Sequence, residues 1–156
     1  MARVLGVLLL ASLTAGAPAG LTEPQVRAFA SRQSADWNAG RFAAYFASFA
    51  STARFTDQAL ANSNTIVPYG SSSREEARAQ VGRRFAKQRP SESLTITRVT
   101  LAADGSTARV DAQVVSQSGG RTFCAQRAET LARTPRGPRA TSQTDTIVRC
   151  RAGRVR

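Results

Sequence analysis

The dipeptide Asp104-Gly105 constrains the fold of this chain more than any other feature does. Asp-Gly is one of the strongest signals for a two-residue β-hairpin turn, and here it lies between segments 93–103 and 106–116. A turn centred there brings three pairs of residues opposite each other: Val99 and Val110, Leu101 and Ala108, and Arg98 and Asp111. The apolar pairs share one face, and the opposite charges share the other. We therefore predict an antiparallel hairpin in this register.

Two further turns extend this hairpin to four antiparallel strands. Gln117-Ser118-Gly119-Gly120 predicts a turn before a strand at 121–133. Pro135-Arg136-Gly137-Pro138 predicts a turn before a last strand at 139–151. The second half of the chain is thus expected to be a sheet.

The only two cysteines, Cys124 and Cys150, are equidistant from Gly137 in the last of these turns. Residues equidistant from a hairpin turn lie opposite each other on neighbouring strands. In an exported protein this placement predicts a cross-strand disulfide. The alternative is a pair of free, buried thiols.

The first half of the chain has helical periodicity. Thr22-Glu23-Pro24-Gln25 has the form of a capping box with Pro in the first turn, and the helix is predicted to run to about Asn38. One stripe of residues at helical spacing is expected to be buried: Val26, Phe29, Ala30, Gln33 and Trp37. Gly40 suits the left-handed conformation that ends a helix.

Two more helices are predicted after this one. The second has four aromatic residues on one face: Phe42, Tyr45, Phe46 and Phe49. The third starts at Ser72 or Ser73, with Glu75 and Glu76 as capping partners, and ends near Gln88. Its buried stripe is Ala77, Val81 and Phe85.

The segment between the second and third helices is predicted to be mostly irregular. Residues 53–57 predict a short strand. The polar segment 58–73 predicts a long connection with a brief strand at 65–67. Long connections of this kind often form binding loops.

Residues 1–19 have the features of a secretory signal peptide. Arg3 precedes an apolar run at 4–13, which is shorter than the roughly 20 residues that span a bilayer. Small residues allow cleavage after Ala17 or Ala19; Pro18 disfavours the first. A retained N-terminal anchor is the alternative. We expect a single domain at 20–156 in an exported protein, periplasmic or secreted, with no transmembrane segment in the mature chain.

The charge and composition exclude several classes of site. The net charge is +12, and every basic residue except Lys87 is Arg. This charge predicts either a solvated basic surface or an anionic partner, such as nucleic acid, a lipid head group or an acidic ligand. The chain has no His, which removes His-based nucleophile pairs, general bases and metal ligands. No metal site and no cofactor are expected.

Three short segments resemble the nuclear-transport-factor-2-like superfamily, which includes SnoaL-like and ketosteroid-isomerase-like groups. They are Trp37-Asn38-Ala39-Gly40-Arg41, the pair Phe42 and Phe46, and Ala53-Arg54-Phe55-Thr56-Asp57. Arg41 stands where relatives usually have an acid. The resemblance implies an α+β fold in which three helices pack on a strongly curved antiparallel sheet, forming a cone. It also implies a cavity between the helices and the concave face.

The resemblance implies a set of cavity residues. Candidates for ligand binding are Trp37, Tyr45, Phe55, Gln113, Gln126 and Asp145. Candidates for catalysis are Asp57 as a general base, with Tyr45 or Tyr69 donating a hydrogen bond to an oxyanion. Asp57 is alternatively a cap or turn residue at a strand end.

Three functions are consistent with these residues. The first is a small-ligand-binding or accessory domain, which the predicted export and the missing His favour. The second is an isomerase, dehydratase or cyclase that uses Asp57. The third is a polyanion-binding envelope protein that uses its Arg surface. We expect no nucleic acid as partner, because proteins that read nucleic acids usually place several aromatic residues among the basic residues of a sheet, and here Phe123 is the only aromatic residue predicted on the sheet. A small apolar ligand and a homodimer are the partners that the resemblance implies.

Overall fold

The computed structural model describes residues 20–62, 64–86, 91–151 and 154–155. The predicted signal peptide at 1–19 lies outside these residues. The helices are α1 Glu23–Asn38, α2 Phe42–Ala47 and α3 Arg74–Arg84. The strands are β1 Phe49–Leu60, β2 Ile66–Ser73, β3 Ser91–Leu101, β4 Thr107–Ser118, β5 Arg121–Thr134, β6 Gly137–Val148, β7 Cys150–Arg151 and β8 Arg154–Val155.

Helix α1 begins at the predicted cap and buries the predicted stripe of residues. Its first turn has the capping box, with the backbone amide of Thr22 donating to Gln25 Oε1 at 3.0 Å. Val26, Phe29, Ala30 and Gln33 are buried, and Trp37 is half-buried. Gly40 follows with a φ of 69°, the left-handed conformation expected after the helix.

Helix α2 is shorter than predicted. It ends at Ala47, and Phe49 is the first residue of β1 rather than part of the helix. The hydroxyl of Ser48 donates to the Tyr45 carbonyl at 2.6 Å, and the Ser48 carbonyl accepts from Ala140 of β6. Pairing with β6 therefore begins directly after α2. Phe49 still joins the aromatic core, with its ring 4.7 Å from that of Phe55.

The segment 58–73 is not the long connection that its polar composition predicted. It forms the end of β1 and the whole of β2, and between them the Ala61 amide donates to the Thr65 carbonyl. Backbone pairing runs from Leu60 and Ile66 to Arg54 and Ser73, with a bulge beside Asp57. Backbone hydrogen bonds between β1 and β2 hold the hairpin together. Because β2 is at the edge of the sheet, its polar side chains can remain in water while its backbone pairs.

Helix α3 starts at the predicted cap and ends early. Ser73 is its N-cap, and Glu76 completes the capping box. The helix ends at Arg84 instead of near Gln88, because Phe85 leaves the helical conformation at φ −104° and ψ 13°. The Phe85 ring lies 5.7 Å from Trp37, so packing against α1 accompanies the early end.

The six-stranded sheet is curved and has the order β2-β1-β6-β5-β4-β3. Strands β1 and β6 run parallel, whereas every other neighbouring pair in this sheet is antiparallel, so the expectation of a wholly antiparallel sheet is wrong. Helix α1 packs on β3, and α3 packs on β1. The helices thus cover one face, called the inner face below, where the main hydrophobic core lies.

The predicted register of the β3–β4 hairpin is confirmed. Val99 pairs with Val110, Leu101 with Ala108 and Arg98 with Asp111. The charge pairing differs in detail: Asp111 accepts from Arg109 of its own strand at 2.8 Å. The cross-strand position of Arg98 does not determine the ion pair, because both side chains are at the surface.

The disulfide between Cys124 and Cys150 is present, with the two Cα atoms 5.3 Å apart. The argument from the turn required the two cysteines to lie opposite each other on neighbouring strands, and they do not. Cys124 lies opposite Val148, because the turn is centred between Pro135 and Arg136 rather than on Gly137, and a bulge at Thr130 then shifts the register by one position. Cys150 lies beyond the end of β6, in the small β7–β8 hairpin, which contacts β4 and β5. The single last strand predicted at 139–151 is therefore divided.

Candidate functional site

A cavity of about 570 Å³ lies between the helices and the inner face of the sheet. This volume is within the range of pockets that hold small molecules. Its walls come from α1, α2 and α3, from the inner sides of β1, β2, β4, β5 and β6, and from Glu92 at the start of β3. The cavity opens at the end of the sheet where β1, β4 and β6 finish and β2 and β5 begin.

One wall of the cavity is aromatic. Trp37 is its centre, with ring centroids 5.0 Å from Tyr45 and 5.7 Å from Phe85. Phe46 of α2 and Phe55 of β1 continue the wall. Tilted and edge-on packing of this kind stabilises the cluster beyond the burial of its area. The wall favours a ligand with an apolar or aromatic body.

The floor of the cavity is a buried ionic cluster around Arg127. The guanidinium donates to both oxygens of Asp145, at 2.7 and 2.9 Å, and to both oxygens of Glu92, at 2.9 and 3.2 Å. The side chains of Arg127, Glu92 and Asp145 are 13%, 4% and 20% exposed. Burial alone would lower the pKa of Arg127, but the two carboxylates outweigh burial and raise it well above its ordinary value.

Tyr45 is connected to this cluster through Gln143. Its hydroxyl donates to Gln143 Oε1 at 2.8 Å, and Gln143 Nε2 donates to Asp145 Oδ2 at 3.1 Å. Burial raises the pKa of Tyr45, so the hydroxyl stays protonated. Because its one proton already serves Gln143, Tyr45 does not offer that proton to a ligand.

Asp57 and Tyr69 lie nearer the opening. Asp57 is beside Asp145 in the β1–β6 register and is exposed, whereas Asp145 is half-buried. Partial burial, and then the charge of Asp145, raise the pKa of Asp57 above its ordinary value. Tyr69, 62% exposed, lines the cavity from the bulged part of β2. Within the described part of the chain, no cation is within ion-pair distance of Asp57.

The structure separates the predicted ligand-binding residues into two groups. Trp37, Tyr45, Phe55 and Asp145 line the cavity together with Asp57 and Tyr69. Gln113 and Gln126 do not: they lie opposite each other on β4 and β5, on the outer face of the sheet. Side chains alternate along a strand, and their neighbours Val114 and Ala125 are the ones that line the cavity.

The floor residues Glu92, Arg127 and Gln143 are absent from the sequence-based candidates. Arg127 lies opposite Asp145 on neighbouring strands. Centring the β5–β6 turn on Gly137 shifts that register by two residues and places Arg127 opposite Ile147 instead. The correct turn position, between Pro135 and Arg136, would alone place Arg127 opposite Thr144, and the bulge at Thr130 moves its partner on to Asp145. The ion pair therefore depends on both the turn and the bulge.

A further carboxyl group lies behind the floor. Glu129 is buried, and its Oε1 has no hydrogen-bond partner among the described residues. Burial raises the pKa of Glu129 to about 7, against the opposing effects of a Gln33 hydrogen bond and the Arg127 charge. A void of about 10 Å³ lies next to it. Among all the described residues, no group of three or more His, Cys, Asp or Glu side chains is arranged to hold a metal ion.

No protein-family model matches the sequence, and no curated protein matches it either. No helix in the described ranges is both long and apolar enough to cross a membrane.

Solved structures share the fold at low sequence identity. An NTF2-like protein with a cystatin-like fold from Novosphingobium aromaticivorans is 18% identical, with a TM-score of 0.60 over 83% of each chain. The β subunit of benzoate 1,2-dioxygenase from Burkholderia mallei is 12% identical, with a TM-score of 0.60 over 88% of this chain and 99% of that one. A Catenulispora acidiphila protein in complex with S-DNPA is 14% identical, with a TM-score of 0.56 over 80% of this chain and 91% of that one.

These proteins have different printed descriptions, so their likeness to this chain establishes architecture and not activity. This chain has three helices packed on a curved six-stranded sheet, with a cavity between them. Helices on a curved sheet that enclose a cavity are what the resemblance predicted. The chain therefore has the nuclear-transport-factor-2-like, cystatin-like fold.

Proposed function

We propose that the cavity binds one small ligand with an apolar or aromatic body and a polar end that donates hydrogen bonds to Asp57. The observation that carries this proposal is the contrast within the cavity. The guanidinium of Arg127 on the floor is engaged by two carboxylates, whereas the Asp57 carboxylate near the opening has no cation within ion-pair distance among the described residues.

This contrast determines the sign of the ligand charge that we propose. Arg127 is already bound on both sides by Glu92 and Asp145, so it is not offered to an anionic ligand. Asp57 and Asp145 make the inner opening locally acidic in a chain whose net charge is +12. A ligand amine or another strong donor is therefore favoured over a carboxylate.

An isomerase, dehydratase or cyclase is the second candidate. The raised pKa of Asp57 and the position of Tyr69 on the same cavity favour it. We rank it below binding because it also needs an oxyanion donor, and Tyr69 is 62% exposed, so water competes for its hydroxyl. The hydroxyl of Tyr45, the other oxyanion donor considered, is engaged with Gln143.

The proposed setting of this activity is outside the cytoplasm. The Cys124–Cys150 disulfide supports that proposal, because disulfides persist in oxidising compartments. The Catenulispora acidiphila protein in complex with S-DNPA supports the binding of a small molecule by this fold.

The test compares two ligands with the same ring and opposite charge, 2-(2-naphthyl)ethylamine and 2-naphthylacetate, by isothermal titration calorimetry. We expect the amine to bind about 10-fold more tightly, a difference of about 1.4 kcal/mol. Asp57→Asn should remove the preference, whereas Asp111→Asn on the outer face should keep it. Ser116→Phe, which fills the cavity from β4, should weaken both ligands. Equal binding of the two ligands to the wild type would refute the role of Asp57.

A further inference from the structure

Exposed apolar side chains gather around the opening of the cavity. Six large hydrophobic side chains are exposed in the part of the chain that the structure describes. Five belong to the strand ends that form the opening: Leu60, Ile66, Val67, Tyr69 and Phe123. We call these five the apolar rim. The sixth, Leu101, is the last residue of β3 and lies at the end of the sheet farthest from the opening.

Strand register fixes the position of the apolar rim. Val67 lies opposite Ala59, and Ala59 lies beside Ile147; both of these neighbours line the cavity. Leu60 and Ile66 form the next pair, one step farther out and on the other face of the hairpin. The exposed apolar side chains therefore lie on both faces of the β1–β2 hairpin, rather than in one flat stripe.

Three exposed arginines lie among these apolar residues. Arg84 lines the cavity from the end of α3. Arg121 lies opposite Ser118, which also lines the cavity. Arg149 donates a hydrogen bond to Asn62 in the β1–β2 turn. The nearest acids, Asp57 and Asp145, line the cavity, so the outward charge at the opening is positive.

We infer that the apolar rim and its three arginines are a docking surface for an anionic lipid membrane, with the cavity opening toward the bilayer. Exposed apolar side chains enter the interfacial layer of a bilayer, and nearby arginines bind its anionic head groups. Tyr69 suits that layer because its ring is apolar and its hydroxyl is polar.

The choice of a membrane over a protein partner rests on the proposed ligand-binding function. A protein that covered residues on both faces of the hairpin and on β5 would close the opening. Lipid would leave a path for an amphiphilic ligand between the bilayer and the cavity. Docking itself needs only the rim, so it can be tested separately from ligand binding.

The test is flotation of the full chain with vesicles of phosphatidylcholine containing about 30% phosphatidylglycerol, a proportion chosen to give a strongly anionic surface. The double variant Ile66→Ser, Val67→Ser should bind at least about 10-fold less than the wild type, because two exposed apolar side chains are lost from the rim. Leu101→Ser is the matched apolar control and should change binding less than about 2-fold. Residues 1–19 are common to all these proteins, so differences in binding report the substituted positions.

A second pair of variants tests the charge. Arg121→Gln with Arg149→Gln should weaken binding to the anionic vesicles and abolish the preference over pure phosphatidylcholine. Arg136→Gln with Arg139→Gln removes the same charge at the far end of the sheet and should keep the preference. Equal losses in the two charge variants would overturn the inference, because they would indicate attraction by net charge alone. A rim that instead pairs two copies of the chain would give a dimer that the Ile66 and Val67 variant dissociates, with vesicle binding unchanged.

Discussion

At the scale of single residues, Glu129 is a carboxyl group whose buried environment differs strongly from that of the same side chain in an unfolded chain. Burial raises its pKa from 4.5 to about 7. Between these two values the folded state binds more protons than the unfolded state does. The free energy of unfolding therefore falls as the pH rises through this window, and it is higher below pH 4.5 than above pH 7 as far as this group is concerned.

Glu129→Gln should remove this pH dependence. Relative to the variant, the wild type should lose about 3 kcal/mol of unfolding free energy between pH 4.5 and pH 7.5. Urea unfolding at several pH values measures the difference, and Glu75→Gln at the exposed start of α3 is the control. Wild-type and Glu129→Gln profiles that run parallel would show that Glu129 titrates normally.

Arg127 is the residue on which the cavity floor depends. It neutralises two carboxylates that have little access to water, and each of them is bound through both of its oxygens. Removing one member of a buried ion pair leaves the other charged and desolvated. Two carboxylates would be left in this state if Arg127 were lost.

Arg127→Met should lower the free energy of unfolding by about 3–5 kcal/mol, the usual cost of breaking a buried ion pair. Arg109→Met is the matched control, because Arg109 also pairs with an aspartate on a strand but is exposed. It should cost at most about 1 kcal/mol. Urea unfolding at pH 7 measures both variants. Similar losses in the two variants would contradict the importance of burial.

The sequence allowed prediction of half of this site for a specific reason. Trp37, Tyr45, Phe55, Asp57, Tyr69 and Asp145 could be named because aromatic and acidic residues are conspicuous in segments that match the fold. The side of the sheet that a strand residue faces depends on register, and an error of one position reverses it. Gln126 was misplaced because it was chosen without a register. Gln113 was misplaced although the predicted β3–β4 register puts it on the face of Asp111, away from Val110.

At the scale of elements, the features that depend on a few neighbouring residues were predicted correctly, and those that depend on tertiary contacts were not. The capping boxes of α1 and α3 act within a few residues and formed as predicted. The turn at Asp104-Gly105 gave the predicted register, although the loop between Leu101 and Thr107 is longer than the two residues predicted. Strand β2 has few apolar residues at its end and owes its conformation to pairing with β1. Phe85, at which α3 ends, packs against Trp37 of α1. No short window of sequence contains these two effects.

The disulfide joins two elements that would otherwise be weakly attached. Cys124 is buried on the outer face against Val115 and Val148, and Cys150 begins the β7–β8 hairpin that contacts the same face. The bond ties the end of the chain to β5 across 26 positions. Closing a loop of that size restricts the unfolded chain by about 3.5 kcal/mol in the chain-entropy model.

The double variant Cys124→Ala, Cys150→Ala should therefore unfold with about 3 kcal/mol less free energy than the oxidised wild type. A reducing agent should lower the wild type by a similar amount and leave the variant unchanged. Urea unfolding with and without dithiothreitol measures this effect. A wild type equally stable in both conditions would show that the bond does not stabilise the fold.

At the scale of the whole molecule, the order of elements predicted the architecture better than any single motif did. Three helices, then a four-stranded hairpin series, leave few arrangements in which every apolar stripe is covered. The parallel neighbour of β6 could not be predicted this way. Strand β1 reaches it only through tertiary packing of α1 and α2, which brings distant parts of the chain together.

That parallel pair also sets the order in which the protein can assemble. Strands β3 to β6 are joined by short turns and can pair as soon as they are made, whereas Gln58 and Thr146, which share a hydrogen bond across β1 and β6, are 88 positions apart. Closing so long a loop slows folding. During synthesis, the aromatic face of α2 and the free edge of β1 must wait for the last long strand. The cavity, whose walls come from both halves, can therefore close only after β6 has been made.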